Sequence, residues 1–410
     1  MSCCDATGLL SITDAIKRMK TIANNNKSLL SLDIKRAYGH TLAEDVISNV
    51  QVPPQDNSAM DGYAINHIGC DEQHPYRLVG QVLAGQTYDG ILAAGECVRI
   101  MTGASVPAGT QAVVMQEDAI KEQQQVTFNK KITSGHHIRR AGEDIAKNQT
   151  VLTTGTVLNA AQLGLLSAVG HGQVNVVKPP KVGIFATGDE LLSPGEHPKA
   201  GHLYESNRIV CATKLRALGC EVIDYGIIED KKSALVHAFN QAAEQCDVII
   251  TSGGVSVGDA DFVKDVLVEN GNIDFWKIAI KPGKPFAFGQ YRDKLFFGLP
   301  GNPVASFVTF DILVAPILKH LQGQQDTSLL TLNATSHCDI NKRGGRVDYQ
   351  RGYAWHESGQ LMVKSAGAQG SHILSSLSQA NAYIVLNEHQ ETIASGDSVS
   401  VILFDSIYPK

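Results

Sequence analysis

Residues 247–261 read DVIITSGGVSVGDAD, an apolar strand that runs into a glycine pair and then into alternating carboxylates. Val248, Ile249 and Ile250 form the continuous apolar run expected of a strand buried on both faces of a parallel sheet. Gly253 and Gly254 let the backbone turn sharply and present N–H groups to a ligand. Asp259 and Asp261 then set negative charge beside that donor-rich turn, an arrangement suited to a cation carrying an anionic substrate. The same residues also fit a plain glycine turn before a solvent-facing helix, whose first turn favours Asp.

The neighbouring segments weigh on that choice. From Lys181 the strand VGIFAT precedes Gly188, Asp189 and Glu190; a helix is predicted over 207–218; the strand EVIDYGII precedes Glu229 and Asp230; and a second helix is predicted over 231–245. Alternating strands and helices imply an α/β domain with a parallel sheet. Asp189, Glu190, Asp230, Asp259 and Asp261 therefore all follow strands, at the sheet edge where an open α/β fold forms its ligand crevice. No GxGxxG opens a helix after a strand, so the dinucleotide fingerprint is absent.

Downstream, a strand predicted over 274–280 leads to Lys281, Gly283 and Lys284. Lys277 and Lys281 share a face if the segment stays extended. With Lys284 they would bind an oxyanion or phosphate, a divalent cation shielding the like charges; alternatively they are solubilising edge-strand lysines. The strand predicted over 295–299 enters Pro300, Gly301, Asn302 and Pro303, with Asn302 as N-cap and Pro303 as first residue of a helix reaching about Leu321. Such a helix start is also an anion site.

The flanks carry other textures. Pro179–Pro180 marks the start of the α/β domain. Before it, Ser11 or Thr13 caps one helix, Leu29–Tyr38 reads as a strand or turn, and Asn159 opens a short apolar helix before a strand at 173–177. VPPQDNSAMDGYAI, from Val52, is a domain boundary, a binding loop bearing Asp56, Asn57, Ser58 and Asp61, or an Asx-rich turn. Short apolar strands from Tyr63 to about Asp118 imply an all-β lobe, in which Thr102 and Ser105 either donate to a ligand or close a turn. Arg139 and Arg140 suit phosphate or carboxylate partners, or ordinary surface ion pairs; adjacent His136 and His137 are expected to point in different directions, which argues against a metal shared by that pair alone. After the polar linker at 323–328, alternating segments predict a small C-terminal β domain. Its arginines 343, 346 and 351 and its loop Ser365–Ser371 are open candidates for contact with substrate or, for the loop, a neighbouring subunit.

At 410 residues the chain exceeds one ordinary core, and 43% hydrophobic with 19% charged residues is a globular mixture. A net charge of −6 gives no general attraction to nucleic acid or anionic membranes. The 8 cysteines show no CxxC pair, which argues against a disulfide scaffold or structural zinc site and for a reduced, cytoplasmic setting. No signal-peptide pattern or bilayer-spanning stretch is expected.

Seven motifs together resemble one family. DNSAMDGYA at Asp56–Ala64, AGED at Ala141–Asp144, FATGDEL at Phe185–Leu191, YESN at Tyr204–Asn207, TSGGVSVGDADF at Thr251–Phe262, KPGKP at Lys281–Pro285 and GLPGNPV at Gly298–Val304 are similar, in order and over essentially the whole chain, to the molybdopterin molybdenumtransferases, the MoeA family to which the gephyrin E domain also belongs.

The resemblance implies a multidomain α/β plus β fold: a three-layer α/β domain at 178–327 similar to molybdopterin adenylyltransferase, a protruding β lobe at 54–142, a discontinuous linking domain from 1–53 and 143–177, and a C-terminal β barrel at 328–410. It implies a cytoplasmic homodimer in which the lobe faces the partner's α/β domain, with transient contacts to the adenylyltransferase and to molybdoenzyme maturation proteins, and with neither nucleic acid nor membrane as partner. The implied reaction is the last step of molybdenum cofactor biosynthesis: adenylylated molybdopterin and molybdate bind, Mg2+ assists cleavage of the pyrophosphate link, AMP leaves, and the dithiolene captures molybdenum.

Implied catalytic residues are Asp61, Asp144, Glu190, Asp230, Asp261, Lys277 and Lys281. Asp61 and Asp144 would serve insertion across the dimer cleft, and the lysines would bind anions. Implied magnesium-side carboxylates are Asp189, Glu190, Asp230, Asp259 and Asp261. Implied substrate contacts are Thr102, Thr187, Gly188, Ser252, Gly253, Gly254, Ser256, Asp259, Lys284, Pro300, Gly301, Asn302 and Pro303. Two other classes compete. An adenylyltransferase would share the α/β domain but needs neither lobe, AGED turn nor barrel, and a gephyrin-like scaffold would normally carry a further domain and long linker.

Overall fold

The apolar run at 248–250 is the middle of a six-stranded sheet. In the computed structural model, which describes residues 8–23, 28–67, 74–254, 262–342 and 344–408, the sheet order is Glu221–Ile228, Lys181–Thr187, Val248–Ser252, Lys294–Leu299, Pro285–Tyr291, Gly271–Lys277. The first four strands are mutually parallel; the last two pair antiparallel. Side chains alternate across the sheet. Val248 and Ile250 join Val182, Ile184, Phe297 and Leu299 in a core beneath the Asn207–Ala217 and Pro303–Leu321 helices. Ile249 joins Phe185, Phe239 and Phe296 on the opposite face, under Lys232–Gln245 and Phe262–Asn270. Both faces are thus dry, which explains a strand without polar alternation.

The sheet order creates the crevice. From 181–187 the chain moves to a neighbour on one side, 221–228, then crosses to the other side at 248–252. Helices diverge above and below that switch point, leaving a gap beyond Thr187 and Ser252.

Three expectations are corrected here. The strand predicted over 274–280 runs instead over Gly271–Lys277 as an antiparallel edge strand. Lys281 lies in Ile280–Lys281, a separate short strand parallel to Val347–Glu357, so Lys277 and Lys281 do not share a strand face. Third, Pro303–Leu321 is a 19-residue helix long and apolar enough by composition to cross a bilayer. It is largely buried: Val304, Val308, Leu313 and Ile317 lie in the α/β core, with a π-helical segment at Phe310–Val314. Its hydrophobicity is that of a central core helix.

Residues on either side of the lobe pair with one another: Leu29–Asp33 with Gln173–Val177, and Val46–Ile47 with Thr150–Leu152. Between them, six strands form the lobe sheet, ordered Ala112–Met115, Gly62–Ile65, Glu96–Ile100, Tyr76–Val82, Gln125–Phe128, Ala119–Glu122. Beyond the α/β domain, the strands Val347–Glu357, Gln360–Ser365, Leu332–Ser336, Ser398–Leu403 and Ala382–Leu386 pair in succession, and the last pairs back onto the first. That closure makes a five-stranded barrel with no free edge in the ring.

Candidate active site

A cavity of about 960 Å³ opens at the switch point. The carboxyl end of 181–187 contributes Thr187, Gly188 and Glu190, the loop after 221–228 contributes Asp230, and the end of 248–252 contributes Ser252, Gly253 and Gly254. Pro300, Gly301, Asn302 and Pro303 form the facing wall. These residues, widely separated in the chain, meet because parallel strands all end on one edge.

The glycine turn is tightly seated. Gly254 has φ +69°, and a Cβ there would lie 2.4 Å from Val263 Cγ2, while one on Gly253 would lie 3.0 Å from the Thr187 carbonyl oxygen. Neither a left-handed backbone nor that spacing tolerates a side chain. The turn is less rich in free donors than its sequence implies, because the Gly253 N–H is spent on the Leu299 carbonyl at 3.2 Å.

The facing wall shows a similar economy. Asn302 occupies the N-cap position but makes no side-chain cap bond. Its carbonyl accepts from Ser306 N–H at 2.9 Å, and Val304 N–H donates to the Ser371 carbonyl at 3.1 Å. That contact brings the barrel's 365–371 loop to the cavity, which Ser371 and His372 also line.

Carboxylates dominate the electrostatics. Glu190, Glu205 and Asp230 line the cavity, whereas no described lysine or arginine does. Asp189 stands behind them, accepting from Asp230 N–H at 3.0 Å. Burial first, and then repulsion from Asp189 and Glu190, pushes the Asp230 carboxyl above its ordinary pKa. Glu205 is 3% exposed and is also raised, chiefly by burial.

Crowded carboxylates without a lining cation are what a hard divalent ion would relieve. The described residues contain no compact group of three or more His, Cys, Asp or Glu side chains ready to hold a metal. An oxygen-only set of this kind fits magnesium, which keeps several waters and binds through one or two carboxylates plus substrate phosphates. Ser256, Asp259 and Asp261, also expected here, lie outside the described residues.

The lysines lie elsewhere. Lys281 Nζ is 2.8 Å from the carboxylate of Asp348, a barrel residue 2% exposed. Lys277 borders a separate hollow with Arg18 and Trp276. Lys284 immediately precedes the cavity-lining Pro285, and its carbonyl accepts from Ile278 N–H at 2.8 Å. Arg351 is 1% exposed, its guanidinium held by Ser376 Oγ and the carbonyls of Ala368 and Gly370, so it braces the loop behind Ser371.

On the lobe, Asp61 and Thr102 come together on the surface. The Asp61 carboxylate accepts from Thr102 N–H at 2.7 Å and from its hydroxyl at 2.8 Å. Asp144 is exposed in the AGED turn, its N–H donating to the Val52 carbonyl at 3.0 Å. Arg140 pairs with Asp56 at 2.6 Å and is a local ion-pair residue. None of these residues lines the cavity of the same chain.

Sequence reasoning did not single out Glu205, Asn207 or His372 as site residues. The first two stand in the YESN motif and could have been found there; His372 has no local signal, because only the barrel's docking onto the α/β domain brings it in.

Comparison with known proteins gives a consistent result. Residues 10–170 match the MoeA N-terminal region (domains I and II), 183–320 a probable molybdopterin binding domain, and 333–404 the MoeA C-terminal region (domain IV). A molybdopterin molybdenumtransferase of Haemophilus influenzae is 41% identical over 379 residues, covering 92% of this chain and 94% of its own. One from Staphylococcus aureus is 30% identical over 403 residues, covering 96% of each chain. Among solved structures, a molybdopterin biosynthesis MoeA protein from Pyrococcus horikoshii OT3 superposes with TM-score 0.83 at 28% identity, covering 97% of this chain and all of its own.

Proposed function

The chain belongs to the MoeA family, a transferase of molybdenum cofactor biosynthesis, and on that premise we propose that the cavity at the switch point takes adenylylated molybdopterin and exchanges its AMP for molybdenum supplied as molybdate. The observation that carries this reading is a large cavity at the strand ends that is acidic and has no lysine or arginine in its described lining. A pyrophosphate enters such a site only with a cation, which matches a substrate carried with magnesium.

In this reading Gly253–Gly254 and the 300–303 turn grip the phosphates from opposite walls and hold the link that breaks in line for attack. Thr187 and Ser252 supply hydroxyl donors to phosphate oxygens. Asp189, Glu190 and Asp230 would hold Mg2+, which when bound neutralises charge on the bridging phosphates as AMP departs. Breaking the pyrophosphate bond takes one water, whose oxygen adds to phosphorus so that AMP and the pterin each leave with one phosphate. The dithiol of the pterin replaces one oxygen of molybdate, which leaves as water with the two thiol protons, and no oxidation state changes.

The exposed Asp61–Thr102 pair and Asp144 lie off the cavity of their own chain and, in this reading, serve the cavity of a partner in a homodimer. We place the reaction in the cytoplasm. Lys277 and Lys281 act from outside the described lining, Lys281 by tying the barrel to the segment after the edge strand.

The test is AMP release from adenylylated molybdopterin by the purified protein with molybdate. The reading expects release with magnesium and none after chelation; release indifferent to chelation overturns the magnesium role, and no release by folded protein overturns the substrate.

A further inference from the structure

The two walls of the cavity are tied by one side chain. Asn207 opens the Asn207–Ala217 helix, and its amide nitrogen donates to Ser252 Oγ at 2.8 Å and to the Gly301 carbonyl at 2.8 Å. Ser252 is the last strand residue before the Gly253–Gly254 turn, and Gly301 lies within the opposing 300–303 turn. Asn207 is 9% exposed, so solvent does not compete strongly for these bonds.

The brace is itself held. Glu205 accepts from Arg208 N–H at 2.7 Å, which caps the helix where Ser206 supplies no side-chain bond. The Arg208 guanidinium bonds Asp224 and lies 3.5 Å from the second Glu205 oxygen. Residues on both sides of Asn207 are therefore anchored to the α/β sheet.

The chemistry demands an amide. Both N–H donors of the carboxamide are committed, one to each wall. An aspartate of the same shape has no donor and sets a carboxylate against the Gly301 carbonyl. A serine is too short to span the gap.

We propose that Asn207 is a positioning residue of the transfer reaction: it fixes the separation of the glycine turn and the 300–303 turn, so that both grip the pyrophosphate in the geometry of bond cleavage. This rests on the reading that AMP is released in this cavity. A misplacement of about 1 Å can cost roughly 100-fold in rate, so a clamp between the gripping walls acts on turnover more than on capture of the substrate.

The experiment compares Asn207→Asp, Asn207→Ala and Asn207→Gln with the unaltered protein, with magnesium and molybdate present. For Asp and Ala, kcat for AMP release should fall by about 100-fold while KM moves by less than about threefold. Gln keeps both donors and should recover at least about tenfold over Asp. Adding Ser252→Ala to Asn207→Ala should cost less than Ser252→Ala alone, because the Asn207–Ser252 bond is already gone and only the phosphate contact of Ser252 remains to be lost. Unchanged kcat in the Asp variant, equal losses in all three variants, or multiplicative losses with Ser252→Ala would overturn the proposal.

Amide hydrogen exchange supplies a readout independent of the reaction. In the Asp variant the amides of Gly253 and Val304, which donate to the Leu299 and Ser371 carbonyls, should exchange about tenfold faster, with those of the barrel strands unchanged. If the unaltered protein releases no AMP, the reaction assignment falls, and exchange alone decides whether the brace exists. Faster exchange with unchanged kcat leaves a structural brace and removes the positioning role; unchanged exchange removes both.

Discussion

The Asp61 carboxylate receives two hydrogen bonds from one residue, Thr102, at 2.7 Å from its N–H and 2.8 Å from its hydroxyl, although 41 positions separate them. Asp61 stands in the DNSAMDGYA motif and Thr102 among the implied substrate contacts, and the bonds bring the two together. The backbone N–H of Thr102 is the larger influence holding the Asp61 carboxyl below its ordinary pKa, with the hydroxyl second.

The first prediction follows from that order. Thr102→Ala removes the hydroxyl and keeps the N–H, so Asp61 should still titrate below an ordinary aspartate, though less so. A carbon-detected NMR titration reads this directly; a return to the ordinary value would show that the hydroxyl dominates.

A second prediction concerns subunit composition. If Asp61 serves a partner's cavity, mixing Asp61→Asn with Asp230→Asn subunits should rebuild activity that neither has alone, to about a quarter of the unaltered level for random dimers, each mixed dimer holding one intact site. A mixture as inactive as its parents places Asp61 and Asp230 in one subunit's site or in none.

A third concerns the acidic mouth. Asp230 has its pKa raised in the folded state, so its favourable contribution to stability is full below the ordinary carboxylate range and is lost as pH rises through the folded value. At neutral pH the ionised Asp230 carboxylate therefore weakens the fold, and a cation beside it offsets the loss. Magnesium should raise Tm at about pH 7 and much less at about pH 4, where carboxylates protonate. Asp230→Asn should raise the neutral-pH Tm without magnesium and shrink the magnesium gain. Equal gains at both pH values would contradict the cation site.

Much of this arrangement was legible in the amino-acid sequence, and the part that was not has identifiable physical causes. The run at 248–250 and its neighbours predict the parallel sheet because apolar period and turn residues act locally. Strand ends share one edge, so Asp230, Gly253 and Gly301 could be assigned to one crevice before any coordinates. Partner choice by long side chains is different. Lys281 looks like a free anion ligand until the barrel brings Asp348 to it, and the Gly253 N–H looks free until the Leu299 carbonyl meets it. The first pairing depends on how the barrel docks and the second on the register of neighbouring strands within the sheet, neither of which local pattern encodes.

That docking gives a fourth prediction. Lys214 and Asp311 meet at 2.8 Å in the core, and Tyr383 and Tyr408 donate to the same carboxylate. Asp311→Asn leaves the Lys214 ammonium buried without its counter-charge and should cost about 3–5 kcal/mol. Tyr383→Phe removes one neutral donor and should cost about 1–2 kcal/mol. Urea unfolding measures both; a smaller loss for Asp311→Asn than for Tyr383→Phe would contradict the account of the cluster.

The most direct test of the whole account is the stoichiometry of a single turnover. With enzyme in excess over adenylylated molybdopterin, in magnesium and molybdate, rapid quenching should show one molybdenum captured for each AMP released, both at one rate and both lost in Asp230→Asn. AMP released at the same rate with no molybdenum retained on the pterin would contradict the claim that this cavity carries out the transfer.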